Sequence, residues 1–279
     1  MSDAIVQTTT DAPRVLGPAR RRIKVSDVWT TAPVARMIGM RDIKVKYKQA
    51  ALGPLWLLIA PLGLLAAMII AFSGVTTVNT SGIPYVPFAL VGLTVWSFVQ
   101  LSLSMGAQAV IANSSLVRRS ILPRLSLMTG SLLGNLPPML VMLVVALISA
   151  AATGSLAIQV LLLPVMLLWL FVFTFGVTLL LSAIAARYRD TVSIIPLVVQ
   201  AGIFVTPVGY GLRGAPSNIH TLLAINPVSG IIEAWRWCVI DLPNPQVGVI
   251  LAGIGWTVVL VVAGWRTFGR MEVDFADFV

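Results

Sequence analysis

Two long stretches without a charged residue constrain the fold of this chain more than any other feature. No Asp, Glu, Lys or Arg lies between Lys48 and Arg118, or between Arg124 and Arg187. A helix needs about 20 mostly apolar residues to cross a bilayer, so each stretch has room for two such helices. Because 58% of the residues are hydrophobic and only 10% are charged, the sequence predicts an integral membrane protein.

The apolar segments and the turn residues between them predict an all-α membrane domain with six spans at 51–279. The predicted spans are 53–72, 88–111, 125–151, 158–186, 192–211 and 248–265. A polar, proline-containing stretch at 1–26 predicts a flexible tail. Apolar and basic residues intermix at 27–50, which predicts an amphipathic helix on the membrane surface, with a solvated helix as the alternative. Residues 213–241 combine breaks with an apolar run too short to span, and they predict an outer re-entrant helical hairpin.

The distribution of Lys and Arg predicts the orientation. Ten of these residues precede the first predicted span, and three, two and two follow at 118–124, 187–189 and 266–270. The turns at 76–82 and 153–155 contain none. Cytoplasmic flanks carry the excess of positive charge, so both termini are expected in the cytoplasm.

Several classes of chemistry lack the residues they need. No Gly-Lys pair occurs, so a phosphate-binding loop for ATP is missing from the sequence. A single His and a single Cys make a metal cluster improbable. All ten acidic residues fall outside the predicted spans, which argues against a carrier driven by an ion gradient and against an intramembrane enzyme. We therefore expect no catalytic residue and no bound cofactor or metal, and energy supplied by another subunit.

The order of the motifs resembles the permeases of ATP-binding-cassette exporters of O-antigen, capsule, teichoic acid and cell-wall galactan. The resemblance covers nearly the whole chain, and it rests on the combination of motifs and not on any single one. The motifs are the basic amphipathic start, 47–56 (YKQAALGPLW), 113–124, 187–190 (RYRD), 206–210 (TPVGY) leading to 226–227 (NP) and 233–236 (EAWR), and 268–277.

The resemblance implies a permease subunit that moves a polysaccharide linked to polyprenyl pyrophosphate out of the cytoplasm. It implies a homodimer with two nucleotide-binding subunits, which would hold ATP and Mg, and a channel between the two permeases. The alternative is an ATP-driven exporter of drugs or lipids with the same fold. An enzyme acting on polyprenyl lipids is a third hypothesis, and it requires activity from the purified chain alone.

The resemblance also implies roles for two basic segments. Residues 113–124 would dock on the ATPase as a coupling helix, through Ser115, Arg118, Arg119, Ile121 and Pro123. A second set would contact the pyrophosphate where the lipid reaches the channel, namely Arg41, Lys44, Lys46 and Lys48. For both sets the alternative is that the basic residues only anchor the chain at the cytoplasmic side of the membrane.

Aromatic and charged residues supply further candidates. Rings can stack on sugars while the polymer slides, and the rings available for a channel are Trp56, Trp96, Phe171, Phe175 and Tyr210. The same rings can pack in the core or form an interfacial belt. Three charged residues are candidates to brace a cytoplasmic gate or to anchor the membrane boundary, namely Arg187, Arg189 and Asp190. Two more, Glu233 and Arg236, are candidates to close the outer mouth or to fix the hairpin. These two residues can form an ion pair, and a solvated surface pair is the simpler expectation.

Overall fold

The structure is a computed structural model, and it describes residues 25–48, 55–73, 79–113, 124–188, 190–215 and 217–271. Every regular element in these ranges is helical. Nine α-helices are described, with one 3-10 turn before α5 (Ile158–Leu162) and another before α7 (Leu212–Gly214). In chain order they are α1 (Val25–Lys48), α2 (Trp56–Ser73), α3 (Tyr85–Ala112), α4 (Arg124–Ala152), α5 (Leu163–Arg187), α6 (Thr191–Val205), α7 (Ser217–Ile225), α8 (Pro227–Ile240) and α9 (Val247–Met271).

Four of these helical segments are long and apolar enough to cross a membrane. They are α3, α4, α9 and the continuous run Ile158–Arg187 that contains α5. Shorter apolar helices lie at Pro61–Ala71 within α2 and at Thr191–Val205, which is α6. The structure therefore confirms an all-helical membrane architecture, whereas the count of six spans and the re-entrant hairpin stay predictions.

The predicted fifth span is too long. We expected helix at 192–211, but α6 ends at Val205 and Thr206 is extended, with φ −116° and ψ 135°. The cause is Pro207, because the ring of a proline disfavours the helical conformation of the residue before it. Residues 206–211 are thus a non-helical connection to the 3-10 turn, and we call them the 206–211 break.

Helix α3 lies at the centre of the bundle and packs against α4, α5, α6 and α8. Its side chains at Leu93, Val95 and Phe98 are almost fully buried. The buried hydroxyl of Thr94 donates to the carbonyl of Leu90, one turn earlier, at 2.8 Å. This bond satisfies the hydroxyl within its own helix, so a polar residue is tolerated in the core.

Helices α5 and α9 approach each other closely at small residues. A Cβ atom on Gly264 would lie 2.3 Å from the carbonyl oxygen of Gly176, and one on Gly176 would lie 2.7 Å from Val261. Small residues let the backbones of membrane helices come this close and gain dispersion contacts. The Trp169 indole of α5 also donates to the Thr257 hydroxyl of α9 at 2.9 Å.

A similar glycine contact fixes α1 to α4. A Cβ on Gly39 would lie 2.9 Å from the oxygen of Gly130, and a Cβ on Gly130 would lie 2.9 Å from the oxygen of Ala35. Around this crossing Thr31, Ala35 and Ile38 are buried, whereas Trp29 and Met37 on the other face are exposed. Helix α1 is therefore packed on the bundle along one face and keeps an outer face of mixed apolar and basic residues.

Candidate functional site

The basic residues of α1 lie around the end of the bundle where α3 ends and α4 begins. Arg41 is the best-positioned member of the predicted pyrophosphate set. Its Nε and Nη2 donate to Oδ1 of Asp42 at 3.1 and 2.9 Å, and Nη2 also donates to Oδ1 of Asn113 at 3.1 Å. Asn113 is the residue after α3 and the first of the predicted coupling segment. Arg41 therefore connects α1 directly to the start of that segment.

The other three cations of the set differ in position. Lys44 and Lys48 lie on the exposed outer face of α1, with Arg36 and Met40. Lys46 lies on the side that faces α3 and α4, and desolvation there lowers the pKa of its ammonium group below the ordinary value. The structure thus divides the set into two lysines directed outward and an arginine and a lysine beside the bundle. Their contact with pyrophosphate stays a prediction.

At the hairpin, Arg236 of α8 is buried and makes three hydrogen bonds to backbone carbonyls. It donates from Nη2 to Val208 at 2.6 Å, from Nη1 to Tyr210 at 3.2 Å and from Nε to Phe88 at 3.3 Å. The guanidinium carbon also lies 3.6 Å from the centroid of the Phe88 ring, a cation–π distance. Two of the three acceptors belong to the 206–211 break, where no helix supplies partners for them.

The predicted ion pair between Glu233 and Arg236 is not formed, and neither residue is solvated. Both side chains are buried, at 3% and 1% exposure. The carboxylate of Glu233 accepts a hydrogen bond from the backbone N–H of Gln246 at 3.1 Å. The expectation of a surface pair was wrong because α8 is enclosed by α3, α5 and α9 and not laid on the outside.

Asn226 secures the other end of the break. Its Nδ2 donates to the carbonyl of Val205 at 3.0 Å and to the hydroxyl of Thr206 at 2.9 Å. Its Oδ1 accepts from the N–H of Val228 at 3.0 Å and so caps α8. The break and α8 are therefore held together by two polar side chains, Asn226 and Arg236.

The predicted channel aromatics lie in different environments. Trp56 is 47% exposed at the start of α2, whereas Trp96 is 4% exposed, with its ring against Gly202 of α6. Phe171 and Phe175 are partly buried against the main core cluster. Tyr210 donates from its hydroxyl to the carbonyl of Phe204 at 2.9 Å. Of the five, Trp56 is the ring most open to a second copy or to lipid, and all five channel roles stay predictions.

The predicted gate residues at the end of α5 are placed only in part. The Arg187 guanidinium lies 5.5 Å from the centre of the Tyr188 ring. The carbonyl of Asp190 accepts from the N–H groups of Ser193 and Ile194 at the start of α6. Arg189 lies outside the described residues, as do five predicted coupling residues, namely Ser115, Arg118, Arg119, Ile121 and Pro123. The roles of all these residues stay predictions.

Sequence reasoning assigned no role to the glycines, and it named Asn226 only as part of the NP motif at 226–227. Gly92 is needed for the contact between α3 and the 206–211 break, because a Cβ there would lie 2.4 Å from the carbonyl oxygen of Val208 and 3.0 Å from the Arg236 guanidinium. No periodic pattern marks such a position. A usable signal existed for Asn226, since Asn before Pro is a common start of a helix, with the side chain as the cap and proline in the first turn.

Comparison with known proteins assigns the class of this fold. The family model for the ABC-2 type transporter matches residues 34–240, a range that includes most of α1, both helices of the hairpin and the 206–211 break. The chain belongs to the ABC-2 type transporter family. It is accordingly a membrane permease component of ABC transporters.

Curated relatives match over most of the chain. An O-antigen export system permease protein RfbA of Klebsiella pneumoniae is 26% identical over 251 residues, covering 87% of this chain and 93% of the relative. A protein of the same name from Myxococcus xanthus is 27% identical over 242 residues, covering 86% and 92%. The family resemblance predicted from the motifs is therefore confirmed.

Proposed function

We propose that this chain is the permease subunit of an ATP-driven exporter that moves a polysaccharide linked to polyprenyl pyrophosphate out of the cytoplasm. The observation that carries the proposal is the match to permeases named for O-antigen export along 86 to 87% of the chain. The charge distribution supports it. In the four long apolar helices of the described ranges, ionisable Lys, Arg, Asp and Glu residues occur only near the ends, so a sliding glycan meets no fixed charge there.

In this proposal the motive force comes from two ATPase subunits, which bind ATP and Mg. The coupling contact is residues 113–124, between α3 and α4. The bond from Arg41 to Asn113 supports a mechanical role, because it ties α1 to the start of that segment. A displacement of the segment by the ATPase would reach both α3 and α1.

The proposal includes a homodimer with the channel between the two copies. Large apolar side chains on α6 are exposed in the single chain, including Leu197, Val198 and Phe204. Exposed apolar surface of this kind is covered by lipid or by another protein. The faces of α2 and α6 are therefore our candidates for the contact with the second copy.

We further propose six spans, with α2 and α6 as the first and fifth, both termini in the cytoplasm of the bacterial inner membrane, and the hairpin α7–α8 near the outer side. The basic residues at the ends of α4, α5 and α9, namely Arg124, Arg187 and Arg270, support this orientation. Cysteine labelling from the outside tests it. A cysteine at Gln246 should react in intact cells, and one at Arg270 should not.

The coupling role is tested by charge reversal at the predicted contact. Arg118 and Arg119 are both changed to Glu, and the complex with its ATPase is placed in vesicles with a lipid-linked glycan. We expect loss of glycan transport and of stimulated ATP hydrolysis, with normal insertion. The matched control is the same reversal at Arg20 and Arg21 of the tail. Transport by the chain alone, without nucleotide, would refute the proposal.

An exporter of drugs or lipids is the second candidate, since the ABC-2 family match by itself does not name a cargo. The two are separated by measuring ATP hydrolysis of the same complex with each cargo. Stimulation by lipid-linked glycan and not by hydrophobic cations supports polysaccharide export. The reverse result assigns the chain to drug export.

A further inference from the structure

A crevice with a volume of about 550 Å³ lies between α1, α3 and α4, and we call it the α1 crevice. Ligand sites usually enclose about 300 to 1,000 Å³, so the size suits a molecule much larger than water. Its lining is amphipathic. The apolar wall consists of Ile38, Val45, Met105, Ala109, Ala112 and Leu127. The polar wall consists of Arg41, Asp42, Lys46, Gln108, Asn113 and Ser131.

Two polar groups in the α1 crevice have no hydrogen-bond partner among the residues that the structure describes. The hydroxyl of Ser131 is buried, since the residue is only 4% exposed, and yet it makes no hydrogen bond with the described residues. The side-chain amide of Gln108 takes part in none of the hydrogen bonds found among the described residues. Buried polar groups nearly always have a partner, so an unpaired hydroxyl on the wall of an open crevice points to a ligand that is absent from the chain itself.

Arg41 adds further donors at the edge of the crevice. Its hydrogen bonds to Asp42 and Asn113 use Nε and Nη2, and the two N–H groups of Nη1 donate to no acceptor in the described part of the chain. A guanidinium has five N–H donors and forms strong, charge-assisted bonds with phosphate oxygens. The side chain is 45% exposed, so a ligand from outside can reach it.

The charges of the lining favour an anion. Arg41 and Lys46 contribute two positive charges and Asp42 one negative charge, which leaves one positive charge. The crevice also lies where α3 ends and α4 begins, beside the basic residues of α1. At the proposed inner face of the membrane this is the level of lipid headgroups, where anionic lipids are attracted by such residues.

We propose that the α1 crevice binds an anionic phospholipid of the membrane. The phosphate contacts Arg41 Nη1, the glycerol and headgroup hydroxyls or ester oxygens contact Gln108 and Ser131, and an acyl chain follows the apolar wall. The bound lipid fills the space between α1 and the bundle and joins α1 to α3 and α4. The proposal assigns Arg41 to a membrane lipid and not to the pyrophosphate of the cargo. Its test needs neither the ATPase nor a glycan, so its failure leaves the proposed function untouched.

The test measures phospholipid binding to the purified full-length chain in non-ionic detergent. Phosphatidylglycerol and phosphatidylcholine are titrated separately, and the bound lipid is counted by native mass spectrometry. We expect tighter binding of phosphatidylglycerol. Arg41→Gln should weaken it about tenfold, whereas Arg36→Gln, which removes the same charge on the outer face of α1, should leave it unchanged.

A double variant, Gln108→Leu with Ser131→Ala, separates ligand binding from folding. These side chains have no hydrogen-bond partner in the described ranges, so their loss should not lower the melting temperature of the lipid-free chain. Affinity for phosphatidylglycerol should fall about tenfold. If Arg41→Gln fails to fold, this variant still decides the question.

Three results would overturn the proposal. The first is equal binding of the two phospholipids, and the second is unaltered binding by the double variant. The third is binding of polyprenyl pyrophosphate through Arg41, Gln108 and Ser131 with no binding of phosphatidylglycerol, which would make the crevice a cargo site.

Discussion

Two arginines at opposite ends of the described bundle show how differently this chain uses a positive charge. Arg236 is 1% exposed and donates to three backbone carbonyls. Arg41 is 45% exposed, and its Nη1 donors have no acceptor among the described residues. A buried charge persists only where hydrogen bonds replace the water it has lost. Arg236 is thus a fixed structural element, whereas Arg41 has capacity left for another molecule.

The surroundings of the two arginines differ in the same way: polar backbone groups near Arg236 are bonded to protein, whereas an unpaired polar group remains near Arg41. The 206–211 break is non-helical, yet Thr206 and Val208 are buried, and Arg236 and Asn226 bond to its polar groups. Irregular backbone among membrane helices is tolerated only when protein or water satisfies it. Around Arg41, by contrast, one unpaired hydroxyl and an open crevice remain. We therefore expect mutations at the break to change folding and mutations near Arg41 to change binding.

The largest expected effect is that of Arg236→Met. It removes the donors to three carbonyls and leaves them unsatisfied in a buried site, which should cost about 3 to 5 kcal/mol. Thermal unfolding in detergent micelles measures the loss. Arg213→Gln, an exposed change at the 3-10 turn of the hairpin region, is the matched control and should be neutral. Equal melting temperatures for Arg236→Met and wild type would contradict the assignment.

Gly92→Ala should destabilise the chain next most strongly. The new Cβ would lie 2.4 Å from the Val208 oxygen, so either α3 or the break must move, at a cost of roughly 1 to 3 kcal/mol. Gly255→Ala in α9 is the control, since nothing lies within 4 Å of its Cβ position. The same unfolding assay applies. A Gly92→Ala variant as stable as the control would show that the break is loosely held.

Asn226→Ala should have a smaller effect. It removes the cap of α8 and two bonds to the end of α6, and the loss of a helix cap typically costs about 1 kcal/mol and at most about 2. Asn226→Asp is informative, because it keeps the acceptor for Val228 and removes the donor to Val205 and Thr206. If the aspartate variant matches wild type in stability, the bonds to α6 contribute nothing.

The smallest effect on stability is expected for Arg41→Gln. Its ion pair with Asp42 is exposed, and such pairs contribute roughly 0 to 1 kcal/mol. The melting temperature should therefore change little, whereas the binding of phosphatidylglycerol and the transport of glycan should change. A loss of stability as large as that of Arg236→Met would remove the distinction between the two ends.

The sequence predicted the helices well, because long charge-free segments leave few alternatives to spanning helices. The start of α4 at Arg124 and the end of α5 at Arg187 lie within a residue of the predicted limits of the third and fourth spans. The fifth span was extended too far because hydropathy continues past Val205, although Pro207 signals the end of the helix. Hydropathy reports transfer energy and not backbone conformation.

In the candidate site, the sequence identified charged residues and their neighbours along the chain, but not the distant residues that they contact. The cations of α1 are visible in the sequence, and so is the proximity of Glu233 and Arg236. Their actual partners are not, since Arg236 bonds to Phe88, a residue 148 positions away. The unpaired hydroxyl of Ser131 likewise becomes apparent only when α1 is packed on α4.

The glycine crossing of α1 and α4 is the point about which α1 would tilt. The helix has 24 residues and so measures about 36 Å at 1.5 Å per residue, and Gly39 lies near its middle. With that point pressed against Gly130, a tilt that brings the Lys48 end toward α3 must carry the Val25 end away from the bundle. The crossing thus links the two ends of α1, so a force applied at Arg41 would be felt at the start of the helix, near Val25.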